Sequence, residues 1–138
     1  MLKQLFSLDG KVAIVTGGSR GIGKAIAQGL AEYGALVIIA GRTIEDLEKV
    51  AGEIKAAGGK CEPYQLHIGR TEQMEAFFKH VADKHGGADI LVNNAATNPH
   101  FGPMHTASVE IFDKTMQTNL RGYFLASKLA AEQMEKSA

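Results

Sequence analysis

The chain of 138 residues is long enough for one domain with its own hydrophobic core, and its hydrophobic fraction of 45% is ordinary for a globular protein. Its 15 basic and 15 acidic residues give a formal net charge of zero, and they are scattered rather than gathered in a basic stripe. We therefore expect no nucleic-acid partner. We also expect no membrane span, because no run of about 18 apolar residues is present.

The first residues and the cysteine count bear on the compartment. Residues 1–11 lack the apolar block of a secretory signal. Cys61 is the only cysteine, so no internal disulfide can form, and this fits a reducing compartment. We therefore expect a cytoplasmic location. We expect no metal site either, because His100 and His105 share a loop but have no third ligand at a useful spacing.

Short apolar runs that are typical of buried strands alternate along the chain with segments of helical period. The predicted strands are Val12–Thr16, 36–40, 61–68 and Ile90–Val92. Pro63 places the third strand at an edge of the sheet, since proline cannot donate a ladder hydrogen bond. Residues 95–107 contain two prolines and a glycine and are predicted to form a loop.

Four amphipathic helices are predicted between and after these strands. The first carries an apolar stripe of Ile22, Ala25, Ile26, Leu30 and Tyr33, and Gly34 ends it. Thr43 and Thr71 are predicted to cap the second and third helices. From Ser108, a fourth and long helix continues to the end of the sequence.

This order of elements predicts an α/β fold, a Rossmann-type doubly wound parallel sheet of about four strands with helices on both faces. We expect residues 1–138 to form a single cofactor-binding domain. A complete fold of this type has a second set of strands beside the fourth. The domain is therefore predicted to be incomplete, with the fourth strand left as an apolar edge.

The strongest motif is a glycine-rich turn between the first strand and the first helix, which is the context of a dinucleotide-binding turn. Glycines let the backbone approach a pyrophosphate, and the helix N-terminus offers free N–H groups and partial positive charge. A plain glycine-rich turn is the alternative. The predicted cofactor residues in this turn are Gly17, Ser19, Arg20, Gly21, Ile22 and Gly23.

The glycine spacing is G-x-x-x-G-x-G and follows Thr16, which resembles the short-chain dehydrogenase/reductase family. A second segment at 89–96 resembles the Asn-Asn-Ala-Gly signature of that family, with Ala96 in place of the glycine. The resemblance implies that Asn94, Ala95 and Ala96 support the sheet and border the cofactor. It also implies hydride transfer between a nicotinamide and a carbonyl or alcohol carbon, a small carbonyl or alcohol substrate, and a homo-oligomer.

The residue after the second strand bears on the choice of cofactor. An acidic residue here would bind the ribose hydroxyl of NAD, but the sequence has Arg42. A guanidinium can donate two hydrogen bonds to a ribose 2′-phosphate, and Arg20 adds a second positive charge. In the family, arginines at these places usually accompany NADP(H). We therefore expect NADP(H) to be preferred, with NAD(H) as the second possibility and a solvated surface arginine as the alternative.

His67 and Ile68 stand where most family members have an Asp-Val pair that contacts adenine. A protonated His67 could not accept the same hydrogen bond, whereas Ile68 could still pack on the adenine face. This segment, with Asn-Ala-Ala and the following Asn98-Pro99, resembles a carbonyl/retinal-reductase-like branch. The alternative is that His67 lies at a strand end without contacting a ligand.

Asn119 is a polar residue on the otherwise apolar face of the last helix, so it needs hydrogen-bond partners. Its surroundings resemble the family segment that carries the catalytic asparagine, which there shapes a helix kink and holds a water of the proton relay. The alternative is a structural asparagine.

The family's Tyr-x-x-x-Lys motif has no counterpart, because none of the three tyrosines has a lysine four residues later. The family serine is expected to be missing with it. We therefore expect the chain to be a family member's cofactor-binding part, inactive by itself. The first alternative is a non-catalytic nucleotide-binding or interaction module. A weaker alternative is an S-adenosylmethionine-binding domain.

Overall fold

A computed structural model describes residues 2–137, and it confirms the predicted α/β sheet with helices on both faces. All strand pairs are parallel, and the strand order is β3-β2-β1-β4. The strands are β1 (Val12–Thr16), β2 (Leu36–Gly41), β3 (Lys60–Gln65) and β4 (Ile90–Val92). The helices are α1 (Leu2–Leu5), α2 (Gly21–Glu32), α3 (Ile44–Ala56), α4 (Thr71–His85), α5 (Val109–Met116) and α6 (Gly122–Ser137).

The sheet is buried between two hydrophobic layers. Every residue of β1 is buried, as expected for a parallel strand that has helices on both faces. Ile14 and Ile38 belong to the layer under α4 and α6, whereas Val15 and Ile39 belong to the layer under α2 and α3. This alternation follows from the two-residue period of a strand. The continuous apolar runs therefore fill both layers.

The two edge strands are the predicted ones, β3 and β4. Pro63 pairs in register with Ile39 on the inner side of β3. The third strand is shorter than predicted, because it ends at Gln65 rather than at residue 68. The neighbouring strand β2 ends at Gly41, so the pairing between β2 and β3 ends at Gln65. After Gln65 the chain turns, and Arg70 N donates to the carbonyl of His67 at 2.9 Å.

The apolar stripe predicted for the first long helix is confirmed for Ile26 and Leu30, which pack against the core, but not for Ile22, Ala25 and Tyr33, which are exposed. The buried residues of α2 are Gly23, Ala27 and Ala31, whereas the side chain of Ile22 is 74% exposed. The helix packs on β1 and β2 through these small residues, which allow a close approach of the two backbones. The larger side chains Ile26 and Leu30 lie at the margin of the contact.

Two of the predicted caps differ from the structure. Thr43 occupies the N-cap position of α3, but its side chain makes no capping hydrogen bond. Thr71 lies inside α4, whose N-cap is Arg70. The hydroxyl of Thr71 instead accepts a hydrogen bond from Arg121 at 2.7 Å, so it links α4 to the last helical segment.

The long C-terminal helix predicted from periodicity is interrupted, and the loop before it contains a 3₁₀ turn at Met104–Thr106. A π-helical turn at Gln117–Arg121 separates α5 from α6. This turn packs on the loop after β3, where the Gln117 side chain donates to the carbonyl of Gly69 at 2.9 Å. Single π turns are often found at functional sites, and this one contains Asn119.

Candidate functional site

A cleft with a volume of about 390 Å³ lies at the carboxyl ends of β1, β2 and β4. Ligands of open α/β sheets bind at this edge, where the strand order reverses. Nine of the predicted cofactor residues line the cleft, and they come from four separate segments of the chain. These nine residues are Gly17, Ser19, Arg20, Arg42, His67, Ile68, Asn94, Ala95 and Ala96.

The glycine turn forms one wall of the cleft. Gly17 has a φ of 69°, a conformation that favours glycine, and a Cβ there would lie 2.9 Å from the Cα of Ala95. A Cβ on Gly23 would collide with the carbonyl oxygen of Gly17 and lie 2.5 Å from the Asn94 amide nitrogen. The remaining predicted residues, Gly21 and Ile22, begin α2 beside Gly23. The glycines therefore make the turn compact enough to reach the segment after β4.

Thr16 and Asn94 hold this turn in place. The buried Thr16 hydroxyl accepts hydrogen bonds from the backbone nitrogens of Asn94 and Ala95, both at 3.1 Å. The Asn94 side chain donates to the carbonyls of Thr16 and Gly17, also at 3.1 Å. These hydrogen bonds tie the ends of β1 and β4 together, and the Asn94 amide fixes the position of the glycine turn.

The N-terminus of α2 is suited to an anion. Arg20 is its N-cap and makes no side-chain capping bond, and the first turn of α2, all of it described, contains no acidic residue. The free N–H groups and the helix dipole therefore lack a counter-charge from that turn. The first turn of α3, by contrast, contains Glu45 and Asp46.

Positive charge surrounds the end of the cleft beyond β2. Arg20, Arg42 and Lys114 line the cleft, and Asp46 is the one carboxylate among the described residues that line it. Arg42 also lines a neighbouring depression together with Arg70. No described carboxylate lies within ion-pair distance of Arg20 or Arg42. The two guanidinium groups are therefore available to a phosphate.

The His67 side chain is held as a neutral hydrogen-bond donor. Burial, and then the charges of Arg70 and Arg42, lower the pKa of His67 below its ordinary value. Its Nδ1 accepts from the backbone nitrogen of Gly69 at 3.1 Å, so the proton of the neutral ring is on Nε2. The ring therefore presents an N–H donor rather than an acceptor at Nε2.

The π turn brings a second helical segment to the cleft. Asn119 clamps the backbone of Thr97, accepting from its nitrogen and donating to its oxygen, each at 2.8 Å. Thr97 and Thr118 line the cleft, whereas Asn119 is not among the described residues that line it. Both polar atoms of the Asn119 side chain are engaged, which satisfies the requirement for partners. Its observed contacts position the loop after β4.

Sequence reasoning missed several residues that line the cleft, including Thr43, Lys114 and Thr118. Lys114 and Thr118 are four residues apart, so they share a helix face, and this spacing was the one available signal. Because Lys114 and Thr118 are far from the glycine turn in sequence, their place in the lining of the same cleft could not be predicted.

An exposed apolar row runs along α5, the π turn and α6. A shallow groove on this surface is bordered by the polar residues Asp113 and Arg121. The exposed members of the row are Val109, Phe112, Met116, Leu120 and Phe124.

Within residues 2–137, no helix combines the length and the apolar character needed to cross a bilayer.

Comparison with known proteins agrees with the fold and the glycine turn. The family model described as short chain dehydrogenase matches residues 11–138, and the chain belongs to this family of oxidoreductases. It is 37% identical over 129 residues to dehydrogenase/reductase SDR family member 4 of Sus scrofa, covering 94% of this chain and 46% of that protein. The chain thus spans about half the length of the curated relatives it matches.

Solved structures give the same result. A metagenomic short-chain oxidoreductase in complex with NADP is 39% identical, with a TM-score of 0.90 over 94% of this chain and 59% of that one. A short-chain type dehydrogenase/reductase from Mycobacterium marinum is 36% identical, with a TM-score of 0.92 over 99% of this chain and 55% of that one.

Proposed function

We propose that residues 1–138 form the cofactor-binding domain of an NADP(H)-dependent oxidoreductase that transfers hydride between the nicotinamide and a carbonyl or alcohol carbon. The observation that carries the proposal is the position of Arg42, unpaired among the described carboxylates, at the end of β2 and in the lining of the cleft. A related structure of this fold is a complex with NADP, which supports the choice of cofactor.

The residues of the cleft fit a phosphorylated dinucleotide. The α2 N-terminus and the glycine turn suit the pyrophosphate, with Gly21, Ile22 and Gly23 supplying N–H groups. Arg42 and Arg20 suit a ribose 2′-phosphate. Ile68 and the neutral His67 border the adenine region, where Ile68 offers an apolar surface and His67 an N–H donor. NAD(H) remains the second possible cofactor, bound without the 2′-phosphate contacts.

Replacing Arg42 by alanine tests the cofactor preference. Hydrogen bonds to a charged group contribute about 1.5–3 kcal/mol, so the affinity for NADPH should fall roughly 10- to 150-fold. The affinity for NADH should change by less than about threefold, because NADH lacks the phosphate that Arg42 binds. Fluorescence titration of the variant and the parent protein with each cofactor measures both dissociation constants.

Lys49→Ala is the matched control for Arg42→Ala. Lys49 is an exposed cation of α3 that does not line the cleft, so its removal changes the net charge by the same amount. NADPH affinity should remain within about twofold, because Lys49 is exposed and does not line the cleft, and interactions between exposed charges are weak. An equal loss in both variants, or tighter binding of NADH than of NADPH by the parent protein, contradicts the proposal.

The acid–base pair that the family resemblance implies for the proposed hydride transfer is not found among residues 1–138. None of the three tyrosines has a lysine four residues later, so no Tyr-x-x-x-Lys pair is available. A bound nicotinamide would supply or accept the hydride, and the residues that line the cleft would bind and orient the cofactor. Asn119 is a positioning residue that fixes the loop after β4 through Thr97.

We therefore expect the chain of 138 residues to bind NADPH without turning it over. Incubation with NADPH and a panel of ketones, aldehydes and diketones, followed at the absorbance of NADPH, measures this. Sustained oxidation that depends on the carbonyl compound would show that the catalytic groups are present. If the chain neither binds NADPH nor oxidises it, the alternative of a non-catalytic interaction module is favoured.

The homo-oligomer stays a prediction, and the exposed apolar row is a surface suited to contact between two copies of the chain.

A further inference from the structure

Glu62, His80 and His85 converge away from the cofactor cleft. Nε2 of His80 lies 2.6 Å from one Glu62 carboxylate oxygen, and Nε2 of His85 lies 2.8 Å from the other. Glu62 comes from the edge strand β3, whereas the two histidines come from the second half of α4. None of these three side chains lines the cleft.

The three groups are partly shielded from solvent and oriented. The side chains of His85 and Glu62 are 13% and 16% exposed, and that of His80 is 32% exposed. The His80 ring packs on Tyr64, with ring centroids 5.0 Å apart. Three side chains, those of His80, Lys84 and His85, converge on the two oxygens of the Glu62 carboxylate.

We propose that Glu62, His80 and His85 form a zinc-binding site that joins the edge strand β3 to the end of α4. Two imidazoles and a carboxylate are a donor set that Zn²⁺ prefers, at bond lengths of about 2.0–2.2 Å. One potential donor atom from each residue lies within 4.8 Å of the other two. Tetrahedral ligand atoms stand roughly 3.3 Å apart, so small rotations of the side chains suffice to form the site.

The metal would replace the protons that now link the imidazoles to the carboxylate. Each imidazole would bind Zn²⁺ through an Nε2 lone pair, so its Nε2 proton goes to solvent and its Nδ1 carries a proton, which a neutral ring takes up from solvent. Water would supply the remaining ligand. Lys84 also contacts Glu62, with Nζ 3.0 Å from the oxygen that His85 contacts. Its side chain is 56% exposed, so it can turn into solvent when a cation binds. The positive charge of Lys84 opposes Zn²⁺ binding, so its removal should raise the affinity of the site for zinc.

The experiment measures Zn²⁺ affinity by competition with a chromogenic chelator, using metal-stripped protein and zinc alone. We expect one zinc ion per chain, displaced from the chelator by the parent protein. His80→Ala and His85→Ala should each weaken binding at least tenfold, because each removes a ligand. Lys84→Ala should strengthen binding several-fold, because it removes an opposing charge.

His105→Ala is the matched control, because His105 is an exposed histidine of a distant loop, and its removal should leave the affinity unchanged. The proposal is overturned if no zinc is taken from the chelator, if His85→Ala binds zinc as tightly as the parent protein, or if Lys84→Ala binds zinc more weakly.

X-ray absorption at the zinc edge of the parent protein provides a test that needs no variant. Two imidazole ligands are expected, and a spectrum without imidazole overturns the site. NADPH affinity, measured on the same samples, separates this site from the proposed cofactor function.

Discussion

Gly23→Ala is expected to destabilise the protein by more than about 2 kcal/mol and to weaken NADPH binding more than tenfold. The new Cβ would collide with the carbonyl oxygen of Gly17 and would lie 2.5 Å from the Asn94 amide nitrogen. Forcing one carbon into a packed site typically costs about 1–3 kcal/mol. Here the displaced atoms belong to the glycine turn itself, so the wall of the cleft moves with them. Denaturant unfolding measures the stability, and fluorescence titration measures the affinity.

Gly29→Ala in the same helix is the control for this substitution. No atom outside its own helix lies within 4 Å of a Cβ built on Gly29. Alanine is the better helix former by up to about 1 kcal/mol, so this variant should be as stable as the parent protein or slightly more stable. A Gly23→Ala variant that keeps both its stability and its NADPH affinity would show that the close approach of turn and helix is not required.

Thr16→Val is expected to destabilise the protein by about 2–4 kcal/mol, although valine has nearly the same shape. The substitution leaves the backbone nitrogens of Asn94 and Ala95 without the hydroxyl that now accepts from both. A buried donor that loses its partner costs about 1–3 kcal/mol. Because Asn94 and Ala95 line the cleft, NADPH affinity should fall as well. Denaturant unfolding and cofactor titration measure the two effects.

Thr115→Val is the matched control for Thr16→Val. The hydroxyl of Thr115 donates to the carbonyl of Ile111 in its own helix at 2.8 Å, a bond that the helix does not need. Its removal should change the free energy of unfolding by less than about 0.5 kcal/mol. Equal effects of the two substitutions would mean that the link between β1 and β4 contributes no more than an ordinary helix hydroxyl.

The parts of the fold that follow from local sequence were predictable. The bounds of β1 and β4 match the predicted strands, because a short β-branched run flanked by turn residues is a strong local signal. The edge position of β3 followed from Pro63, which cannot donate within the sheet. The glycine turn followed from its place between a strand and a helix.

Two predictions made from hydrophobic periodicity differ from the structure, because contacts between distant segments override the local sequence pattern. The face of α2 that packs on the sheet is lined by Gly23, Ala27 and Ala31, although the apolar stripe pointed to larger residues. The last helix is broken where Gln117 binds the carbonyl of Gly69, a contact between segments 48 residues apart. Neither effect is visible in a window of a few helical turns.

The sequence alone determined the class of fold, the glycine-rich turn and the cationic residue after β2, because each depends on residue type within a short segment. Only the tertiary structure decided that Thr16 and Asn94 tie the turn to β4 and that Asn119 engages the backbone of Thr97. It alone brought Glu62 beside the two histidines of α4. Hydrogen bonds and charge clusters of this kind join residues that are 18 to 79 positions apart, and only the packing of the sheet and helices brings them within reach.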